Sequence, residues 1–180
     1  MYYLPDELIS TATIDARLAE LGAEISADHA GADSLLLVGV LRGAFIFLAD
    51  LARHITVPTQ VDFLAVASYA DDATQAGEVR LIMDLRHPIA GKHVLIVEDI
   101  VDSGLTMTYL LGVLKARGPA SLKVCAMLRK PERLQVDVPI DYIGFDIPDV
   151  WVIGYGMDLA DRYRSLPYIG VVDPARLGDV

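Results

Sequence analysis

The amino-acid sequence predicts an α/β fold with a mostly parallel central sheet flanked by helices. Short apolar runs such as "SLLLVGV" (34–40) and "HVLIVED" (93–99) alternate with longer stretches of helical spacing. The runs are apolar at consecutive positions, as expected of strands buried on both faces. Strands that alternate with helices in this way imply right-handed crossovers between parallel neighbours.

Each element has its own signal. Ile14, Leu18, Leu21 and Ile25 recur at helical spacing, so residues of about 11 to 30 are expected to form an amphipathic helix. "SLLLVGV" is read as a buried strand, and "AFIFLADLARHI" after Gly43 has the length and apolar stripe of a helix. "QVDFLAVASY" (60–69) predicts a strand, the polar "ADDATQAG" a loop, and "EVRLIMDL" a short strand. "HVLIVED" is the most strand-like segment, and "LTMTYLLGVLKARG" reads as a helix closed by Gly118 and Pro119. "SLKVCAML" and "DYIGFDI" complete the set of strands.

Size and charge narrow the class. With 180 residues, 53% of them hydrophobic, the chain supports one core, so residues 1–180 are expected to form a single domain. The formal net charge of −10 opposes general attraction to nucleic acid or to an anionic membrane, and neither is expected as a partner. Asp6 and Glu7 stand where a secretory signal needs basic residues. The greasiest span meets Arg42 after eight uncharged residues, far short of the ~20 that a membrane-spanning helix requires. The single cysteine, Cys125, allows no internal disulfide and suits a reducing cytoplasm. It reads as a buried small hydrophobe, and the four histidines show no ligand spacing for zinc.

The chemistry concentrates in "VLIVEDIVDSGLTM" (94–107), an apolar strand that ends in two acids and then turns into a helix. Ligands of open α/β sheets settle at the carboxyl ends of the strands. Neither G-x-x-x-x-G-K-[ST] nor a G-x-G-x-x-G after a strand is present. The turn "DSGLT" (102–106) still offers a permissive glycine, two hydroxyls and the amides of a helix start, which can cradle a phosphate. Asp102 or Ser103 could equally be a simple helix cap. Adjacent Glu98 and Asp99 repel unless a cation, a pair of hydroxyls or open solvent compensates them, and hard oxygens of this kind suit Mg²⁺ shared with a phosphate.

That stretch closely resembles the phosphoribosyl pyrophosphate (PRPP) motif of type I phosphoribosyltransferases. "VGVLRGAFIFLADL", "DFLAVASY" and "IGFDIPDVWVIGYGMDLADRYRSLPYIGVV" are similar to the diphosphate loop, lid and base-recognition hood of the hypoxanthine-guanine phosphoribosyltransferases. The likeness covers residues of about 35 to 172. It implies the type I phosphoribosyltransferase fold, with a core of about 30–130 and a hood built from the N-terminal segment and about 131–175. It also implies transfer of 5-phosphoribosyl from PRPP to N9 of hypoxanthine or guanine, giving IMP or GMP and diphosphate, with Mg²⁺ as cofactor.

By the same resemblance, PRPP meets Glu98, Asp99, Asp102, Ser103, Gly104, Leu105 and Thr106, with Asp102 as the proposed general base toward N7. A carboxylate beside an acidic cluster is expected to have a raised pKa, nearer the range useful to a base. The diphosphate meets Arg42, Gly43 and Arg164, and the Leu41–Arg42 peptide is cis in family members. Lys130, Trp151, Val152 and Asp158 fall at purine-binding positions, and Glu98, Asp99 and Asp158 at metal positions. Ser68 and Tyr69 match the lid. An ammonium at Lys130 can only donate, so it suits the 6-oxo group and opposes the 6-amino group of adenine.

Taken singly, several of these residues have plainer readings. Arg42 could mark a surface turn, Lys130 could be a solvated side chain, and Trp151 could belong to the sheet core. A xanthine-preferring transferase is an alternative, as is a PRPP-sensing regulator that binds nucleic acid. A homodimer or homotetramer is implied by the family likeness.

Overall fold

The computed structural model describes residues 4–69 and 78–173. Ser10 starts the first helix, its hydroxyl accepting from the Thr13 amide at 3.1 Å. Helix α1 (Thr11–Asp28) buries Ile14, Leu18, Leu21 and Ile25, the stripe expected from the spacing. It packs beside α2 (Phe45–His54), which buries Phe47, Leu48 and Leu51.

Six strands form the main sheet: β2 (Leu35–Leu41), β3 (Thr59–Tyr69), β4 (Glu78–Met83), β5 (His93–Val101), β6 (Ser121–Arg129) and β7 (Tyr142–Asp146). Their spatial order is β4-β3-β2-β5-β6-β7, parallel throughout except for β4, which runs antiparallel at the edge. Both faces are covered. Leu35 and Leu37 join the core under α1 and α2. Leu36, Val38 and Val40 point to the opposite core, with Met107, Leu110 and Leu114 of α3 (Leu105–Lys115). Alternate side chains of one strand thus fill two cores, which is why the run carries no polar residue.

A second, three-stranded antiparallel sheet joins β1 (Asp6–Ile9), β9 (Ile169–Val171) and β8 (Val152–Ile153), in that order. Strand β7 lies in the main sheet although its residues fall within the stretch 131–175 assigned to the hood. Trp151, just before β8, and Val152, its first residue, line a cleft together with Asp99 and Asp102 at the carboxyl end of β5. No helix among the described residues is long and apolar enough to cross a membrane.

One sequence reading is settled by burial. Cys125 is fully buried in β6, and burial pushes its thiol well up, so it is no nucleophile. The His29 and His93 rings meet edge to face with centroids 6.2 Å apart, and no cluster of three metal-ligating side chains occurs among the described residues.

Candidate active site

Strand β5 runs two residues beyond the predicted end, so Glu98 and Asp99 lie within the strand and not at its last position. Glu98 is buried, and desolvation, followed by the neighbouring Asp99 charge, pushes its carboxyl well above the ordinary range. Burial also raises Asp99. Neither acid forms an ion pair among the described residues. Two adjacent carboxyls with no ion-pair partner at contact distance, and only the Arg164 charge acting on Asp99 from further off, make an oxygen donor set that a divalent ion would satisfy. They do not amount to a complete cage, so such an ion would need further oxygens from a ligand or water.

The next turn carries no side-chain cap. Gly104 occupies the N-cap with a left-handed φ of 82°, a conformation that glycine adopts without strain. Ser103 Oγ accepts from the Leu105 amide only at a long 3.4 Å, and the Asp102 carboxylate turns elsewhere. The first intrahelical bond runs from the Thr108 amide to the Gly104 carbonyl, so the amides of Thr106 and Met107 precede it. They open beside a small cavity of about 80 Å³ lined by Glu98, Asp102, Ser103, Gly104 and Thr106. The helix-cap alternative therefore fails, and the helix start remains available to an anion.

Asp102 has basic partners. Arg133 Nε donates to its Oδ1 at 2.9 Å, and Lys130 Nζ lies 3.8 Å from Oδ2. The acidic neighbours invoked from sequence are thus not its bonding partners. Lys130 reaches this place by register. The β5–β6 ladder pairs Val101 with Arg129, and the Lys130 amide continues it by donating to the Val101 carbonyl at 3.0 Å. Its side chain is only 9% exposed, which excludes a solvated surface lysine, and it donates to Asp149 at 3.3 Å.

A second cleft of about 240 Å³ is lined by Asp99, Asp102, Lys130, Trp151, Val152, Met157 and Asp158. Trp151 is 56% exposed, so it is not sheet core. An exposed indole facing a lysine and an aspartate can stack on a flat ring whose edge carries polar atoms.

The remaining basic residues form a chain of pairs. Arg42 Nη1 lies 3.0 Å from Asp161, and Arg164 Nη2 lies 3.0 Å from Asp161 and 2.7 Å from Asp158. Arg164 Nη1 also donates to the Gly156 carbonyl at 2.9 Å. Arg164, with help from Arg42, holds the Asp161 carboxyl below its ordinary value. The peptide between Leu41 and Arg42 is cis. Tyr155, Ala160, Asp161 and Tyr163 all have left-handed φ, a concentration of uncommon backbone in the loop that carries Asp158.

Most of the residues singled out from sequence thus gather at the carboxyl ends of β2, β5 and β6. Ser68 and Tyr69 end β3, opposite Val79 and Glu78, while their side chains and the loop 70–77 lie outside the described residues. Sequence reasoning missed Arg133, Asp149 and Asp161. Each is a common surface residue type in a loop or, for Arg133, a short 3₁₀ turn, and only the folded register shows what it touches.

Residues 6–160 match the model of the phosphoribosyl transferase domain. The chain is 50% identical over 173 residues to the hypoxanthine-guanine phosphoribosyltransferase of Mycobacterium tuberculosis, covering 93% of this chain and 85% of that one. It is 47% identical over 173 residues to the hypoxanthine phosphoribosyltransferase of Escherichia coli, covering 96% and 97%. Among solved structures, a Bacillus anthracis hypoxanthine-guanine phosphoribosyltransferase superposes with a TM-score of 0.90 at 40% identity, over 95% of this chain and all of the other. The hypoxanthine phosphoribosyltransferase of Trypanosoma cruzi does so at 0.92 and 39%, over 99% and 97%.

Proposed function

This chain belongs to the phosphoribosyltransferase family, and we propose that it is a purine salvage enzyme moving 5-phosphoribosyl from PRPP to N9 of hypoxanthine or guanine, with release of diphosphate. One observation carries the reading: a lysine, a carboxylate and an exposed indole line a single cleft beside an uncapped helix start.

The reaction needs the ribose phosphate held, the leaving diphosphate neutralised, and a proton taken from the purine. The amides of residues 102 to 106 and the Ser103 and Thr106 hydroxyls hold the 5-phosphate. Leu105 adds no cation, so the phosphate is met by the amides, the hydroxyls and the helix dipole. Glu98 and Asp99 meet the ribose hydroxyls or Mg²⁺, and Asp158 is a further candidate ligand. Bound Mg²⁺ supplies charge neutralisation for the diphosphate. Arg42 and Arg164, now engaged with Asp161 and Asp158, offer guanidinium forks to the same group, and Gly43 lets it approach the backbone.

In the cleft, Trp151 stacks on the purine and the Val152 backbone meets its edge. The Lys130 ammonium donates to O6, and Asp102 takes the proton at N7. Adenine would bring an amino group toward an ammonium, leaving both without an acceptor. Ser68 and Tyr69 belong to the lid that excludes water from the ribosyl cation. A cytoplasmic setting and assembly as a homodimer or homotetramer complete the proposal.

The test is one assay with PRPP and Mg²⁺ against hypoxanthine, guanine, xanthine and adenine, following nucleotide formation. Hypoxanthine or guanine should be used best. A preference for adenine would overturn the role of Lys130, and no nucleotide from any base would overturn the activity.

A further inference from the structure

Four charged side chains close a ring at the rim of the cleft. Arg133 Nε donates to Asp102 Oδ1 at 2.9 Å, while Lys130 Nζ stands 3.8 Å from Asp102 Oδ2. Lys130 Nζ donates to Asp149 Oδ1 at 3.3 Å, and Arg133 Nη1 stands 3.6 Å from Asp149 Oδ2. Each carboxylate thus gives one oxygen to a short bond and the other to a longer approach, and each cation spans both carboxylates. Arg133 comes from the 3₁₀ turn Pro131–Arg133, and Asp149 from the loop two residues before Trp151.

We propose that Arg133 and Asp149 are positioning residues for the purine site. The proposal rests on the reading of the cleft as the place of the base. Arg133 engages one oxygen of Asp102 and so leaves Oδ2 aimed at the purine. Without that bond the carboxylate rotates about its own side chain and collapses onto Lys130, the cation that O6 requires. Asp149 does the reciprocal work. It draws the largely buried ammonium away from Asp102, so that the lysine's remaining hydrogens point into the cleft.

The stability of the ring does not explain its geometry. Arg133 is 50% exposed and its partners are 40% and 46% exposed, and pairs this open add little to folding. What they do fix is direction. A carboxylate and an ammonium that must act on neighbouring atoms of one ring have to be kept from neutralising each other, and the second pair of charges accomplishes that.

The test uses the full chain. Arg133→Met should lower kcat/KM for hypoxanthine by about tenfold or more, while KM for PRPP and the melting temperature stay near those of the parent. Arg133→Gly should regain activity when guanidinium ion is added at millimolar concentration, which loss of a merely structural contact would not allow. Asp149→Asn should raise KM for the base and narrow the preference for hypoxanthine over adenine. Arg117→Met breaks a comparable surface pair with Asp84 away from the cleft and serves as control. If the parent makes nucleotide but Arg133→Met and Asp149→Asn match it, or guanidinium restores nothing, the positioning role is overturned. If the parent itself makes none, the purine reading fails first.

Discussion

Gly43 lies against the carboxylate of Asp99, in a space that a Cβ could not enter without overlapping Oδ2. The same glycine is crowded from the other side, because a Cβ on Gly156 would overlap the Gly43 carbonyl. The loop after β2 therefore meets the Asp99 side chain at the acidic end of β5 and the backbone of the loop after β8, and two glycines make both contacts possible. Gly43→Ala must displace either the loop or Asp99. Activity should fall by about a hundredfold with a rise in KM for PRPP, since the displaced groups are those proposed to meet its ribose and diphosphate. Steady-state kinetics would check this, and kcat/KM for PRPP within a few-fold of the parent would show that the crowding has no functional consequence.

The buried Glu98 gives a prediction about pH. Its carboxyl is raised well above an ordinary value of 4.5 by burial and by Asp99. The folded protein then keeps this proton at pH values where the unfolded chain has released it, so the folded state binds more protons. Stability contributed by this group is unimpaired below 4.5 and falls as pH climbs from there to the raised folded value. Glu98→Gln removes that slope. Melting curves from acid to neutral pH without divalent ions should show the variant gaining on the parent as pH rises, and Mg²⁺ with PRPP should narrow the gap. A constant difference across the range would contradict the assignment.

Trp151 is the only tryptophan, and it is more than half exposed on the wall of the cleft. Intrinsic fluorescence thus reports on one place. Titration with IMP or GMP should change the emission as the purine stacks on the indole. Trp151→Ala should raise KM for the base about five- to tenfold, in line with ~1 kcal/mol of ring contact, and Trp151→Phe should recover most of it. Unchanged emission at saturating nucleotide would remove the indole from the site.

The doubly buried strands and the acidic turn were legible in the sequence for a physical reason. A strand buried on both faces has no choice but an unbroken apolar run, and the change from "HVLIV" to "ED" and "DSG" marks the carboxyl end of the strand, where ligands of such sheets settle. The resemblance to phosphoribosyltransferases then placed Lys130, Trp151 and Asp158, which lie far apart in sequence and line one cleft. What local pattern could not supply was pairing. That β4 returns antiparallel depends on its ladder with β3, and the Arg133–Asp102 bond spans 31 positions and follows from the β5–β6 register. Nor does any periodicity mark the small sheet, whose strands are two to four residues long and meet from opposite ends of the chain.

Asp102 offers the sharpest separation of binding from chemistry. Its Oδ1 accepts from Arg133 at 2.9 Å, and an amide oxygen can accept the same bond, so Asp102→Asn keeps the shape of the turn and its contact with the 3₁₀ segment. What the variant loses is the ability to take a proton. Turnover should therefore fall by about a hundredfold or more, the usual span of a general base, while KM for PRPP and the melting temperature change little. Steady-state kinetics with hypoxanthine, together with calorimetric titration of PRPP in the presence of Mg²⁺, separates the two effects. Weakened PRPP binding with a preserved turnover number would assign Asp102 to the ribose phosphate alone, and the proton would then have to leave N7 by way of water.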